Sequence, residues 1–489
     1  MIFLLKIIGL LLIFLDYLRE LLWYICYPTI RNFLNYTMKF ISISILVLAT
    51  IFTYSCKKSS TPEEYNAKAS DPKLFHETTT QLTDVIIHDI FKPPVASRIY
   101  SYSFLAAYEA LVPGYPEYQS LAGQINKFTT PPKPEPGAAY CFPLASIKAF
   151  TVVGRTLTFS GNLWDDYEKD LFQKYEEMGI PEDVYKRSIA YGDTVAKHVL
   201  AHASKDHYKE IRGFRYTVTN EPGTWVPTPP AYADACEPMW NTVRTFALDS
   251  VTQFRCPPPA KYDLNKNSPF MKLAMEVYNI GKNLTEEQKA TAYFWDDNAF
   301  VTNVVGHAMF ANKKMTPAGH WLAIIKNVTT DKKLNLMQVN ETYTLGALSL
   351  FDAFVSCWDE KYRSVRIRPE TVINNNWDPN WRPFLETPAF PEYVSGHSTI
   401  SAACGTVLAK LIGENVAFTD TTEKKYGHGV KSFKSFKEAY WDASISRVYG
   451  GIHYRDGVEE GTRLGEKIGA NVLNRVITRK SRKVVASAK

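Results

Sequence analysis

The sequence predicts a mostly α-helical protein with long proline-rich loops, and two observations support this fold class. Several segments carry apolar residues at helical intervals behind residues that cap helices, whereas no convincing alternating strand pattern occurs. Proline-rich stretches at residues 129–137, 220–232 and 256–269 separate these segments. Loops of this length in a compact domain usually form functional rims or insertions.

Residues 1–55 are predicted to be a leader region that precedes the fold. Residues 1–15 are strongly apolar, but Asp16 interrupts them before a comfortable membrane span is complete. A second start-like segment opens at Met38 and resembles a bacterial lipoprotein signal, because a lysine, an apolar run and Cys56 follow it. We therefore expect Met38 to be the true start. The alternative is a genuine membrane helix ahead of it.

Cys56 would be the lipidated first residue of the mature protein, followed by a polar tether over residues 56–70. The protein would then be a lipoprotein of the cell envelope, on the outer membrane, and would contact the membrane through its lipid alone. No run of about 18 apolar residues follows Cys56, so an integral membrane lipid phosphatase is not expected.

The folded body is predicted to consist of a loop-rich N-terminal half, residues 71–270, and a helical C-terminal half, residues 271–480. Proline at the start and a Pro-Gly pair at the end predict a helix within residues 93–114, and a second long helix is predicted over residues 181–204. Capping patterns are expected to open three further helices, at Thr285–Gln288, Ser435–Glu438 and Asp456–Glu459.

Composition excludes some classes of partner. The 489 residues are 45% hydrophobic and 22% charged, as in ordinary globular proteins, and the net charge is +6. The positive charge is not gathered into long basic runs, so nucleic acid is not an expected partner. The odd number and irregular spacing of the cysteines after Cys56 exclude a disulfide framework, although Cys236 and Cys256 could pair.

Three short motifs in the C-terminal half combine cations, a hydroxyl group and histidines. They are Lys361 and Arg368 with six residues between them, the run Ser395-Gly396-His397, and Arg447 and His453 with five residues between them. One lysine and two arginines at one place would demand a polyanion, because guanidinium groups match tetrahedral oxyanions. A Ser-Gly pair at a helix N-terminus adds a hydroxyl and a backbone N–H. Two histidines remain, one to bond the central atom and one to move protons.

Each motif alone has an ordinary structural explanation, such as a helix start, a commonplace spacing or a solvated helix face. Their combination in this order, each at a helix end, favours a functional site. In this combination the chain resembles the superfamily that joins type 2 phosphatidic acid phosphatases, bacterial acid phosphatases and vanadium-dependent haloperoxidases. The motifs cover residues 361–453, and the resemblance is expected to extend over about 70–475. One position differs from the family pattern: Val394 precedes Ser395-Gly396-His397, where the family usually has proline.

The resemblance implies a fold of two stacked four-helix-bundle-like units around a common core. It also implies a set of residues that hold vanadate or phosphate, namely Lys361, Arg368, Ser395, Gly396, Arg447 and His453. His453 would bond vanadium as the metal ligand, or attack phosphorus in a phosphatase. His397 would be the catalytic acid and base, and Lys361 would assist catalysis.

Neighbouring aromatic residues favour one branch of this superfamily. Trp358 and Phe390 occupy positions similar to the aromatic pair that forms the halide side of the pocket in vanadium chloroperoxidases, whereas the bromide enzymes tend to have histidine in place of Phe390. Simple core packing is the alternative explanation for both rings. In that branch an aspartate orients the arginine of the third motif. Asp297 is the first candidate for this role here, and Asp296 is the second.

We therefore expect a vanadium-dependent haloperoxidase-like enzyme that oxidises a halide with hydrogen peroxide at a histidine-bound vanadate and modifies a small organic acceptor. The alternative is an acid phosphatase of the same superfamily, which needs no cofactor, takes a phosphate ester as its substrate and works through a phosphohistidine. A third alternative is a non-catalytic surface lipoprotein that binds a ligand such as a glycan. That alternative would not require His397 and His453 at these spacings.

Overall fold

The computed structural model describes residues 9, 11–25, 38, 61–305 and 307–480. The chain divides into two units, Met1–Ser59 and Ser60–Lys489. In the first unit, residues 11–25 form helix α1. Among the residues just given, no helix is both long enough and apolar enough to cross a membrane. Cys56 and most of the predicted lipoprotein signal lie outside the described residues.

The second unit is mostly helical, as predicted. Its longer helices in the N-terminal part are α2 (Pro62–Ala69), α3 (Pro72–His88), α4 (Pro93–Leu111), α5 (Phe142–Leu157), α6 (Asn162–Glu177) and α7 (Glu182–Ala203), followed by the short α8 (Tyr208–Ile211). The C-terminal part contains α9 (Pro269–Lys282), α10 (Glu286–Phe294), α11 (Pro317–Asp331), α12 (Leu336–Ser364), α13 (Pro369–Asn376), α14 (Gly396–Ile412), α15 (Phe436–Tyr449) and α16 (Arg455–Arg475).

Two small antiparallel sheets also occur among the described residues. One pairs β1 (Val301–Val305) with β2 (Ala308–Asn312), and the other pairs β3 (Phe418–Asp420) with β4 (Lys431–Phe433). Strands this short carry too few residues to show an alternating pattern, so the sequence did not reveal them.

Helix α12 connects two helical bundles. It packs against α4 on one side, where α4, α5 and α7 contact one another, and against α14 and α16 on the other side, where α15 joins them. Nearly every residue from Leu336 to Lys361 is buried, because neighbours surround this helix on all sides. A helix buried on all sides is typical of a protein core, and α12 also carries buried polar residues such as Asp352 and Lys361. The predicted helical-bundle fold is therefore confirmed.

Helix α16 approaches α14 unusually closely. A Cβ atom on Gly465 would collide with the carbonyl oxygen of Thr399, and one on Gly469 would collide with that of Ala403. Glycine removes this clash and lets the two backbones touch. The contact brings the beginnings of both helices together, where the N–H of Ser395 donates to the carbonyl of Gly457 across 2.9 Å.

Several helix starts agree with the sequence. Thr285 and Gln288 form a reciprocal capping box, and the Ser435 side chain accepts a hydrogen bond from the N–H of Glu438. The predicted cap at Asp456 is wrong. Helix α16 starts at Arg455 after Tyr454, and the Asp456 carboxylate accepts two hydrogen bonds from Arg366 instead.

Two further expectations need correction. Cys236 and Cys256 are both free, so they do not form a disulfide. Residues 62–69 of the segment expected to be a tether instead form α2, in which Tyr65 and Ala69 are buried. The proline-rich loop over residues 220–232 packs against the end of α12, where the Trp225 N–H donates to the carbonyl of Val365 across 2.8 Å.

Candidate active site

The residues of the three motifs meet at the ends of the C-terminal helices. Lys361 lies in the last turn of α12, and Arg368 immediately precedes α13. Ser395 is the N-cap of α14, so Gly396 and His397 form its first turn. The third motif bridges two helices, because Arg447 lies in the last turn of α15 and His453 follows in the connection to α16.

A cavity of about 270 Å³ opens at this place. Its lining includes Gly396, His397, Arg447 and His453, together with both predicted halide-pocket aromatics, Trp358 and Phe390. The rest of its wall is largely apolar and comes from loops in both halves of the folded unit. An apolar pocket with a few converging polar groups is the usual form of a small-molecule site.

Lys361 is completely buried, and carbonyl groups hold its ammonium group. Its Nζ donates to the carbonyl oxygens of Pro391 and Glu392 across 2.9 and 3.0 Å. Burial lowers the pKa of Lys361 to about 7, and the charge of Arg368 acts in the same direction. Burial thus disfavours the charged form of Lys361, and a bound anion would stabilise that form.

The two arginines are also buried, and each has unused hydrogen-bonding capacity. Arg368 donates to the carbonyls of Phe390 and Ile452, and Arg447 Nη1 donates to the carbonyl of Trp295. Within the described part of the chain, Arg368 Nη2 and Arg447 Nε find no hydrogen-bond partner. Buried guanidinium donors without acceptors are costly, so these atoms indicate a site for an anion.

His453 presents its Nε2 atom to the cations. Its Nδ1 lies 2.7 Å from Glu392 Oε1, and its Nε2 lies 3.2 Å from Arg368 Nη1. The carboxylate can only accept and the guanidinium can only donate, so Nδ1 carries the proton and Nε2 keeps its lone pair. Burial and then the charges of Arg368 and Lys361 hold the pKa of His453 well below its ordinary value. The neutral ring is therefore a ready ligand or nucleophile.

The start of α14 lies against Trp358 and Lys361. The Ser395 hydroxyl accepts from the N–H and hydroxyl of Ser398, at 3.3 and 2.9 Å. A Cβ on Gly396 would lie 3.6 Å from the Trp358 ring and 4.0 Å from Lys361 Cε. The first N–H groups of a helix lack carbonyl partners within the helix. That of Ser398 is capped by Ser395, and the N–H of Gly396 is a candidate donor to an anion.

His397 contacts Asp297 rather than an arginine. Its Nε2 lies 3.4 Å from Asp297 Oδ2, a close contact without hydrogen-bond geometry. Burial, and then the charge of Arg447, lower the pKa of His397 to about 4, so its ring is neutral at neutral pH. Asp297 was expected to orient Arg447. Its two oxygens instead face His397 and His320, and Asp296 lies 3.5 Å from Lys314.

Trp358 and Phe390 form one aromatic wall beside the cations. Their ring centroids are 5.0 Å apart, and the Trp358 Nε1–H donates to the carbonyl of Cys236 across 3.0 Å. Lys361 Nζ lies 4.8 Å from the Phe390 centroid, and the Arg368 guanidinium carbon lies 5.0 Å from it. Both rings therefore contact the site and not only the core.

Three residues at the site were missed by the sequence analysis. Glu392 and Arg366 support His453, and His320 pairs with Asp297. The first two lie in or beside the segments that carry the motifs, so a search for a carboxylate that binds a ring nitrogen of His453 would have suggested Glu392. For His320 the sequence offered no signal beyond its closeness to residues 296–297.

Comparisons with known proteins identify the family. The family described as the VCPO second helical-bundle domain matches residues 341–480. A structure described as the first bacterial vanadium-dependent iodoperoxidase is 40% identical, with a TM-score of 0.80 over 84% of this chain and 98% of its own. No curated protein sequence matches the chain.

Two further structures share the fold at lower identity. The holo and apo forms of a bacterial vanadium-dependent chloroperoxidase each have 16% identity to this chain and a TM-score of 0.60. Each match covers 79% of this chain. It covers 93% of the holo structure and 95% of the apo structure. At that identity they support the fold alone, whereas the iodoperoxidase shares both sequence and fold over nearly its whole length. The chain belongs to the family of vanadium-dependent haloperoxidases.

Proposed function

We propose that this protein oxidises a halide with hydrogen peroxide at a vanadate held by His453. The observation that carries the proposal is the neutral His453 ring, whose Nε2 lone pair is directed toward a buried group of cations by its contacts to Glu392 and Arg368. Iodide is the first halide to test, because the relative with 40% identity is described as an iodoperoxidase. A small organic molecule would then accept the oxidised halogen.

The donor set fits an oxyanion such as vanadate. Arg368 Nη2 and Arg447 Nε are unpaired among the described atoms, and a bound oxyanion would give both of them acceptors. Lys361, the Ser395 hydroxyl and the Gly396 N–H would hold further oxygens, while His453 would bond the metal. Bound vanadate supplies a Lewis-acid centre at which hydrogen peroxide becomes reactive toward a halide. The protein contributes fixed positive charge that needs no rearrangement.

His397 would move protons during turnover. Its ring is neutral at neutral pH, so it can accept a proton from a reactant that enters the cavity. A proton on Nε2 would face the Asp297 carboxylate at 3.4 Å and would be stabilised there. The other ring nitrogen, Nδ1, is then the one that exchanges protons with the reactants.

An acid phosphatase is the second candidate, because the same donors would hold phosphate and the same Nε2 lone pair would attack it. The purified folded unit would be assayed in parallel. One sample receives orthovanadate, hydrogen peroxide and iodide, and triiodide formation is followed. The other receives a chromogenic phosphate ester without vanadate.

Vanadate-dependent triiodide formation with weak ester cleavage is the expected result. Ester hydrolysis that vanadate inhibits, without iodide oxidation, would make the protein a phosphatase. If neither reaction occurs, the non-catalytic binding protein would be favoured.

We also propose that the mature protein is an envelope lipoprotein anchored through Cys56. The support is the signal-like sequence between Met38 and Cys56. Mass spectrometry of the mature N-terminus should find a lipidated Cys56, and the Cys56→Ser variant should leave the membrane fraction. An unmodified N-terminus upstream of Met38 would contradict both the anchor and the proposed start.

A further inference from the structure

A buried chain of carboxylates and imidazoles leads away from the active-site cavity. His397 Nε2 lies 3.4 Å from Asp297 Oδ2, and Asp297 Oδ1 lies 2.7 Å from His320 Nδ1. On the far side, His320 Nε2 lies 2.8 Å from Asp420 Oδ2. Asp297 is 2% exposed, and His320 and Asp420 are completely buried. Four titratable groups from four separate segments thus form one continuous line.

His320 is an imidazolium in this arrangement. Both of its ring nitrogens face carboxylate oxygens at hydrogen-bond distance, and two ionised carboxylates can only accept, so both nitrogens must donate. Burial alone would lower the pKa of His320, but Asp297 and Asp420 hold it well above its ordinary value. The charged and titratable groups around this chain are Asp297, Asp420, Glu423, His397, Arg447, Lys314 and Asp296.

The surroundings fix the position of the His320 ring. It stacks on Trp295 with centroids 4.5 Å apart, and Phe294 meets its edge at 5.6 Å. Asp420, its second partner, is held in turn by the N–H of Thr422 across 2.9 Å. The ring therefore has little freedom to turn, and the carboxylate that it binds is equally constrained.

A metal site is the competing explanation for this cluster. Asp297, His320 and Glu423 offer ligand atoms that lie within 4.8 Å of one another. However, His320 Nδ1 is already bound to Asp297 at 2.7 Å through a proton, and burial raises the pKa of Glu423 to about 8. A protonated imidazole and a neutral carboxylic acid are poor ligands, so the described geometry favours a hydrogen-bonded chain.

We propose that His320 is a positioning residue for the haloperoxidase reaction. It holds Asp297 Oδ1 with its Nδ1–H, and this turns Oδ2 toward His397, the proton-transfer residue. Without the imidazolium, Asp297 would be a buried carboxylate with no charged partner in contact, and it would take up a proton or turn away. His397 would then lose the negative charge that stabilises its proton. This proposal rests on the proposed function.

The test compares the His320→Gln and His76→Gln variants. Both histidines are buried, and His76 hydrogen-bonds Tyr343 at 2.9 Å in the other bundle, so it serves as the matched control. We expect His320→Gln to lower kcat about 10- to 100-fold, the usual effect of a residue that orients a ligand or catalytic group. The KM for iodide and the affinity for vanadate should change little, whereas His76→Gln should leave kcat unchanged.

A double variant separates positioning from a general structural effect. If His320 acts through Asp297, His320→Gln should lower kcat only slightly further when Asp297→Ala is already present. An equal loss in both backgrounds would overturn the proposal, as would a parallel loss of vanadate affinity. If His320→Gln does not fold, the NMR measurement on the wild type decides the proposal instead.

One measurement does not depend on catalysis. In ¹⁵N NMR of the vanadate-free wild type, His320 should carry protons on both nitrogens at neutral pH, and a singly protonated ring would overturn the proposal. Stoichiometric divalent metal in the purified protein would also overturn it. A wild type that oxidises neither iodide, bromide nor chloride in the presence of vanadate would refute both proposals. An active wild type with an unaffected His320→Gln variant would refute this one alone.

Discussion

Glu392 Oε1 lies 2.7 Å from His453 Nδ1, and this contact determines which nitrogen of the ring faces the anion site. The same oxygen accepts the N–H of Tyr454 at 3.1 Å, and the other oxygen of Glu392 pairs with Arg366. Arg366 in turn holds Asp456 in the first turn of α16. A buried ion-pair network therefore ties the orientation of His453 to the helix that follows it.

The first prediction concerns this contact. Glu392→Gln should weaken vanadate binding about tenfold, within the range typical for residues that orient a metal ligand. The reason is that an amide can turn its NH₂ toward Nδ1 and thereby favour the tautomer with a proton on Nε2. Titration with vanadate, followed by ⁵¹V NMR, measures the affinity. Glu341→Gln is the matched control, since Glu341 is a buried carboxylate that pairs with Arg479 away from the site. Equal affinity in all three proteins would contradict the role of Glu392.

The second prediction separates proton transfer from anion binding. His397→Ala should lower kcat about 10²- to 10⁴-fold, the usual contribution of a general acid or base. Vanadate affinity should change little, because His397 contacts Asp297 and makes no contact with Lys361, Arg368 or His453 among the described hydrogen bonds and ion pairs. Steady-state kinetics at saturating vanadate measures kcat, and a vanadate titration of the same sample measures affinity. Full turnover in this variant would exclude His397 from the chemistry.

The sequence predicted the convergence of the three motifs well, because each residue belongs to a short pattern at a helix end. The capping box at Thr285 is equally local, and it was predicted correctly. Two of the failures involve partners distant in sequence. Asp456 does not cap α16 because Arg366, ninety residues earlier, binds its carboxylate. The pairing of Asp297 with His320 depends likewise on how loops fold over α11, and no local pattern encodes that contact.

The third prediction concerns pH. Burial lowers the pKa of Lys361 to about 7, whereas the pKa of His397 is lowered to about 4 and that of Arg368 to about 10. An anion favours the charged ammonium, so binding above pH 7 requires Lys361 to take up a proton. Affinity for an oxyanion should therefore fall as pH rises through about 7, by at most about tenfold per pH unit.

Sulfate is a suitable probe for this prediction because it remains a dianion between about pH 6 and about pH 9. Calorimetric titrations would compare the wild type with Lys361→Met. The variant should bind sulfate more weakly and with little dependence on pH. A variant that retains the pH dependence of the wild type would show that another group titrates.

The last prediction distinguishes a halide pocket from core packing. Phe390 covers both Lys361 and Arg368 with its ring, and it closes the site together with Trp358. Phe390→Ala would admit water to these cations and remove two cation–π contacts, each worth about 0.5–2 kcal/mol. The KM for iodide should then rise about tenfold, because a halide must compete with water for the same positive charge. The control is Phe384→Ala, since Phe384 packs against Tyr293 outside the cavity lining. If the two variants lose thermal stability equally and neither changes KM, the aromatic pair is part of the core, and halide selection must come from other residues of the cavity.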